Sequence, residues 1–261
     1  MKIYIHTDLE GIAGIDNASQ MDQKSPVYQD SCSKLMLELN AAAAGAFDAG
    51  ATHVAVLDSH GGGGNFILEQ LDKRCWNDPK SNKKWWGALD ESYAGSFFIG
   101  AHAMAGTING FLDHTQSSTS WYNYYVNGRK FGELAQWGMV AGAYNVPMLL
   151  VTGDEAACAE AREFFNPVET VAVKQGMGRQ SASSYPIEES YAKIRAAAAR
   201  AVSLIPKASP LKPITPMEFI LEFQRSDYCD AACNSKGVER LDARTIRWVS
   251  NDPRKLFPGY L

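Results

Sequence analysis

Residues 2–57 constrain the fold of this chain more than any other part of it. Residues 2–7 form a short β-rich run, 30–49 an alanine-rich helical pattern closed by Gly50, and 52–57 a second apolar run of strand length. A glycine just past the last periodic position is a helix stop, because it takes the left-handed conformation without steric penalty. Strand, long helix, strand predicts a βαβ crossover and a parallel sheet with its connections on the faces. The same alternation continues, with strands at 96–101, 147–152 and 168–173 and helices at 133–143 and 155–165. Residues 121–131 interrupt it with aromatic and β-branched residues around Asn127-Gly128, the pattern of a type I′ hairpin.

Beyond Lys174 the texture changes to a Gly/Ser/Gln-rich stretch ending at Pro186, followed by a helix over 187–205 and a Pro-rich segment over 206–216. Strands at 218–223 and 245–249 enclose a helix near 227–235. The expected architecture is α/β, a mostly parallel sheet with flanking helices plus a smaller C-terminal α+β unit. The expected division is a catalytic domain over 1–185 and a smaller domain over 186–261, with the linker near 206–216.

Composition narrows the class. With 46% apolar and 21% charged residues the chain has the make-up of a globular protein that buries a core. A net charge of -4 and the lack of any basic cluster longer than Lys83-Lys84 argue against nucleic acid as a partner. The most apolar later stretch, 137–151, is broken by Gly, Asn and Pro and falls short of the roughly 20 residues of a membrane span. The first residues run straight into Thr7 and Asp8 without the apolar segment of a signal peptide. Five scattered cysteines, an odd number, fit a reducing cytoplasm.

In open parallel sheets ligands bind beyond the carboxyl ends of the strands. Those ends here carry Asp8-Leu9-Glu10-Gly11, Asp58-Ser59-His60 and Gly100-Ala101-His102-Ala103. Asp8 and Glu10, one residue apart, point to the same side of an extended chain. Carboxylates alone would suit magnesium or calcium; the imidazoles of His60 and His102 shift the expectation to zinc or a similar first-row metal. His114, in the polar stretch Leu112-Asp113-His114-Thr115, suits an acid/base or electrostatic role near neutral pH. His6 and His53, on or beside strands, read as packing or surface residues.

Other motifs carry less. Gly61-Gly62-Gly63-Gly64 resembles an esterase oxyanion loop, but the chain has no Gly-x-Ser-x-Gly elbow, so a loop permitting close backbone approach is the better reading. Cys229 and Cys233 lack a second ligand pair and read as structural. The aromatics over 121–125 fit hairpin packing better than a pocket wall.

Taken in order, Asp8-Leu9-Glu10-Gly11-Ile12, Asp58-Ser59-His60, Gly100-Ala101-His102-Ala103, His114, Gly132-Glu133-Leu134, Val140-Ala141-Gly142, Val146-Pro147, Gly153-Asp154 and Val173-Lys174-Gln175 resemble the D-aminopeptidase family of dinuclear zinc peptidases. The resemblance implies two zinc ions per subunit. It makes Asp8 the bridging carboxylate, with His60 and Glu133 on one ion and Glu10 and His102 on the other. Glu133 enters through the resemblance alone, and His114 matches the family's candidate catalytic histidine. The implied reaction removes N-terminal residues, D or L, from short peptides through a hydroxide bridging the metals. The implied partner is the chain itself, in a homo-oligomeric ring, commonly a decamer. The same ligands could serve another dinuclear metallohydrolase, an amidase or phosphoesterase, or a metal-binding assembly protein without turnover. Residues 75–87, which include Lys83-Lys84-Trp85-Trp86, and the part after Pro216 depart from the family pattern, and both bear on substrate choice or assembly.

Overall fold

Strand β1 (Lys2–Thr7) is the hub of the molecule, whose computed structural model describes residues 1–79 and 84–257. Lys83 of the basic and aromatic run, and the last four residues of the chain, lie outside the described residues. Helix α1 (Tyr28–Asp48) returns the chain to β2 (His53–Asp58), which pairs in parallel with β1 from Lys2↔His53 to Thr7↔Asp58. A short strand β3 (Cys75–Asn77) extends that edge. The chain then crosses to the other side of β1, where β4 (Gly95–Ala101) pairs in parallel with it.

An antiparallel hairpin, β5 (Trp121–Val126) and β6 (Arg129–Lys130), precedes helix α2 (Glu133–Ala143). Its turn residues Asn127 and Gly128 both have positive φ, as a type I′ turn requires. Strand β7 (Met148–Asp154), helix α3 (Glu155–Phe164) and strand β8 (Glu169–Gly178) extend the parallel sheet beyond β4. The stretch expected to be irregular instead lengthens β8 to Gly178 and adds an antiparallel edge strand β9 (Ser181–Ser184). Ladder hydrogen bonds are made by the backbone, so a Gly/Ser/Gln-rich segment without a hydrophobic face pairs at an edge and leaves little trace in the apolar pattern.

Helix α4 (Ile187–Val202) follows, then β10 (Met217–Phe223), helix α5 (Ser226–Ala232), β11 (Glu239–Arg240) and β12 (Thr245–Ser250). Two sheets result among the described residues, ordered β3-β2-β1-β4-β7-β8-β9 and β11-β12-β10-β5-β6. The expected boundary at 185/186 leaves all strands of the first sheet on one side but runs through the second, and it parts the first sheet from a helix that covers it. Strand β5, before it, pairs with β10 in the antiparallel sheet, while α4, after it, packs on α1 and β8. No helix among the described residues is long and apolar enough to cross a membrane.

The period of two along the parallel strands builds two cores. Ile3, Ile5, Val54, Val56, Phe97 and Ile99 face α1 and α4, whereas Tyr4, Ala55, Leu57 and Phe98 face α2 and the antiparallel sheet. The alanines of α1 let α4 approach closely: a Cβ on Gly45 would lie 2.2 Å from the Arg195 carbonyl oxygen. β1 lies between β2 and β4, whose connections leave on opposite sides, so the sheet has its topological switch point at the carboxyl ends of β1 and β4.

Candidate metal centre

The strand-end residues converge on that switch point. Asp8 and Glu10 lie in a turn after β1 rather than in extended chain, yet both carboxylates reach His60 Nδ1, at 2.9 and 3.0 Å. The turn is tight against β4. Gly11 N donates to Gly100 O at 2.8 Å, and Asp8 N donates to Ile99 O at 2.8 Å. Gly100 has φ +78°, and a Cβ there would sit 2.2 Å from the Asp8 carbonyl oxygen. Gly100→Ala is therefore expected to cost at least about 2 kcal/mol of stability, from left-handed backbone strain and the displaced Asp8 turn. A thermal melt run beside metal analysis checks it: both the melting temperature and the bound metal should fall.

His60 opens a 3-10 turn after β2, and the four glycines behind it all have positive φ. They wrap around Asp58, whose carboxylate accepts from the N–H groups of Gly64, Asn65 and Phe66, while Asn65 Nδ2 donates to His60 O at 2.7 Å. The glycine run thus builds a support for His60, not an oxyanion loop.

His102 follows β4. Its Nδ1–H donates to Ala103 O at 3.0 Å, which turns Nε2 toward Asp8 Oδ2 and Glu133 Oε1, each 3.4 Å away. Glu133 is the first residue of α2 and accepts from Gln116 N at 2.7 Å through the same oxygen. The His114 ring stacks on His102 with centroids 4.0 Å apart, and its Nε2 lies 3.6 Å from Glu133 Oε1. All six residues singled out in the sequence therefore meet.

The charges explain why a cation suits the place. Burial opposes a charged imidazole at His60, but the Glu10 and Asp8 carboxylates outweigh it and raise its pKa to about 11. Buried His102 is likewise raised well above the usual histidine value by Glu133 and Asp8. Burial alone would raise Glu133, yet His102 and His114 hold it down at about 2, and His60 holds buried Glu10 well below the carboxylate range. Asp8 goes the other way, raised by burial and by the neighbouring Glu10 charge. Three carboxylates this close need positive charge among them, supplied by protons on the imidazoles or by metal that displaces those protons.

The placement of His102 Nε2 favours the metal. This nitrogen is buried, faces two carboxylate oxygens and makes no hydrogen bond among the described residues. With Nδ1–H committed to Ala103, the neutral ring aims a lone pair at the same point as two anionic oxygens, an arrangement that a cation between them stabilises. Imidazole and carboxylate donors together fit zinc. Donor atoms within 4.8 Å of one another fall into three groups: Asp8, Glu10 and His60; Asp8, His102 and Glu133; and Glu10, His102 and His114. Asp8 belongs to the first two, as a bridging carboxylate would. Of the implied pairings, Glu10 with His102 is among the groups and His60 with Glu133 is not.

The family model for D-aminopeptidases matches residues 1–259. The chain belongs to the D-aminopeptidase family. A D-aminopeptidase of Bacillus subtilis strain 168 is 30% identical over 265 residues, covering 100% of this chain and 96% of that protein. Among solved structures, the zinc-dependent D-aminopeptidase DppA of Bacillus subtilis, described as a self-compartmentalizing protease, matches with a TM-score of 0.92 at 30% identity, over 100% of this chain and 94% of that one.

In this D-aminopeptidase family member the centre forms the floor of a cavity of about 730 Å³. His6, expected only to pack, does pack, between Phe98 and Trp137, but it also lines the cavity and lies 3.2 Å from Ser59 Oγ. Trp137 joins the wall because it is four residues after Glu133 on α2 and so shares its face. That spacing was available in the sequence. Trp85 and Phe257, from the two segments that depart from the family pattern, pack edge-on at 5.6 Å and complete the aromatic side. The hairpin aromatics serve packing as expected: Tyr124 is buried against Phe219 and Trp248. Cys229 and Cys233 lie with sulfurs 4.0 Å apart at the end of α5.

Proposed function

We infer that the protein is a zinc-dependent aminopeptidase that removes N-terminal residues, D-residues included, from short peptides. Asp8, Glu10, His60, His102 and Glu133 hold two zinc ions per subunit, and the subunits form a homo-oligomeric ring of ten in the cytoplasm. The observation that carries this reading is the convergence of three carboxylates and two imidazoles around the unbonded His102 Nε2. Family membership and the zinc-dependent relative support peptide hydrolysis over other uses of the same ligands. The relative's self-compartmentalizing character supports the ring. The odd number and wide scatter of five cysteines support a reducing compartment.

When bound, zinc supplies Lewis acidity toward a peptide carbonyl and lowers the pKa of water toward neutrality. The chain's own residues do the rest. Leu112 O accepts from His114 Nδ1–H at 2.8 Å and so directs Nε2 toward the floor, where it takes up a proton or donates one to a developing oxyanion. His6, Trp85 and Trp137 exclude water from the aromatic side of the cavity.

Metal analysis with chelation and add-back tests the reading. The purified protein is expected to carry about two zinc ions per chain and to hydrolyse D- or L-aminoacyl p-nitroanilides. Chelation should abolish turnover, and zinc should restore it. Full activity without metal would end this reading, and hydrolysis of phosphoesters alone would move the protein to another class of metallohydrolase.

A further inference from the structure

We propose that Arg179 binds the terminal carboxylate of the peptide substrate and so makes the enzyme selective for short peptides with a free carboxyl end. The proposal rests on the aminopeptidase reading and adds the residue that recognises the far end of the substrate. Arg179 lies in the turn between β8 and β9 and lines the metal-centre cavity, where it is the sole lysine or arginine among the described lining residues. Its side chain is 44% exposed, so a ligand in the cavity can reach it.

The guanidinium is held by one side only. Nε donates to Asp113 O at 3.3 Å and lies 3.6 Å from Asp113 Oδ1. The Asp113 carboxylate is itself fixed by Gly106 N, which donates to Oδ2. The two terminal nitrogens donate no hydrogen bond among the described residues, which leaves open the planar pair of donors that matches a carboxylate. A peptide with free ends carries one carboxylate at its terminus. When its amino end sits at the centre, as exopeptidase cleavage requires, a cation on the cavity wall is the complementary group for the other end. The cavity has the size of a small-molecule site. A longer chain would have to pass the guanidinium without offering it a charge.

The backbone of the same residue has a separate task. Arg179 O accepts from Leu112 N at 2.8 Å, and Leu112 O accepts from His114 Nδ1. A side-chain substitution leaves this support of His114 in place, so recognition and chemistry can be separated by experiment.

The zinc-loaded enzyme is assayed on an alanyl-alanine dipeptide of the chirality it cleaves and on the C-terminal amide of that dipeptide. Wild type is expected to favour the free acid by about 10- to 100-fold in kcat/KM, the range for hydrogen bonds to a charged group. Arg179→Met should lose that preference through a higher KM for the acid, with kcat/KM for the amide within about twofold of wild type. Arg179→Lys should keep part of it. Equal rates of wild type on acid and amide overturn the proposal but leave the aminopeptidase reading intact. A variant that retains the preference, or one that loses both substrates equally while folded and zinc-loaded, also overturns it. Failure of wild type on both substrates overturns the proposal and the function together. Should Arg179→Met fail to fold, Arg179→Gln, which keeps a polar side chain without the charge, takes its place with the same expected loss and the same overturning results.

Discussion

Replacing His114 with Ala should lower kcat by about 10²- to 10⁴-fold, the contribution of a positioned acid or base, without changing the zinc content. The size of the effect follows from how firmly the ring is placed. Leu112 O holds Nδ1–H at 2.8 Å, His114 N donates to Ala103 O at 3.3 Å, and the ring stacks on His102 at 4.0 Å. Leu112 itself has φ +49°, a conformation that a branched apolar residue adopts only when its surroundings hold it there. All of this leaves Nε2 with one direction, toward Glu133 and the floor of the cavity. The metal should remain, because Asp8, Glu10, His60, His102 and Glu133 are all left in place. Turnover numbers and metal stoichiometry measured on one preparation separate the outcomes. Unchanged kcat removes His114 from the chemistry, and loss of zinc turns it into a ligand, as its grouping with Glu10 and His102 would allow.

The parts of the site that were legible in the sequence are those that a general property of parallel sheets exposes. Asp8, Glu10, His60 and His102 stand at strand ends, and any α/β sheet with the strand, helix, strand pattern of residues 2–57 brings its strand ends to one edge. Their convergence is topology. Glu133 is different, because a Glu opening a helix ordinarily compensates the helix dipole. Its place at the centre depends on residues 103–120 folding back so that Gln116, at φ +61°, presents its N–H to the carboxylate. No local pattern encodes that docking. β9 leaves no sequence signal for a related reason, since an edge strand of Ser and Ala is held by its ladder and not by a hydrophobic face. Arg179 sits in the turn that β9 creates, so its position over the cavity was as hidden as the strand. The expected domain division failed to anticipate that β5 pairs with β10, a contact between segments about a hundred residues apart.

Lys174→Met should cost about 3 kcal/mol or more, lowering the melting temperature by about 6–12 °C for a chain of this size, and should weaken zinc binding although Lys174 is no ligand. This lysine is fully buried at the end of the parallel part of the sheet. Its ammonium donates to Glu10 O at 2.7 Å and to Ile15 O, clamping both ends of the turn that carries Glu10. Glu38 of α1 holds the same turn from beneath, accepting from Ala13 N at 2.7 Å. Burial pushes Lys174 down to about 8 and Glu38 up to about 7, with each charge working against the shift of the other. Methionine fills a similar volume but leaves the buried Glu10 and Ile15 carbonyl oxygens without the ammonium that donates to them and removes the positive charge that opposes protonation of Glu38, and each buried acceptor left unpaired costs about 1–3 kcal/mol. Because the turn runs directly from Asp8 through Glu10, the loosening should reach the metal. Zinc titration against a competing chelator should therefore show weaker binding in the variant even at a temperature where it is fully folded. A variant that melts early but binds zinc as tightly as wild type would confine Lys174 to stability and show that the metal, once bound, holds the turn without help.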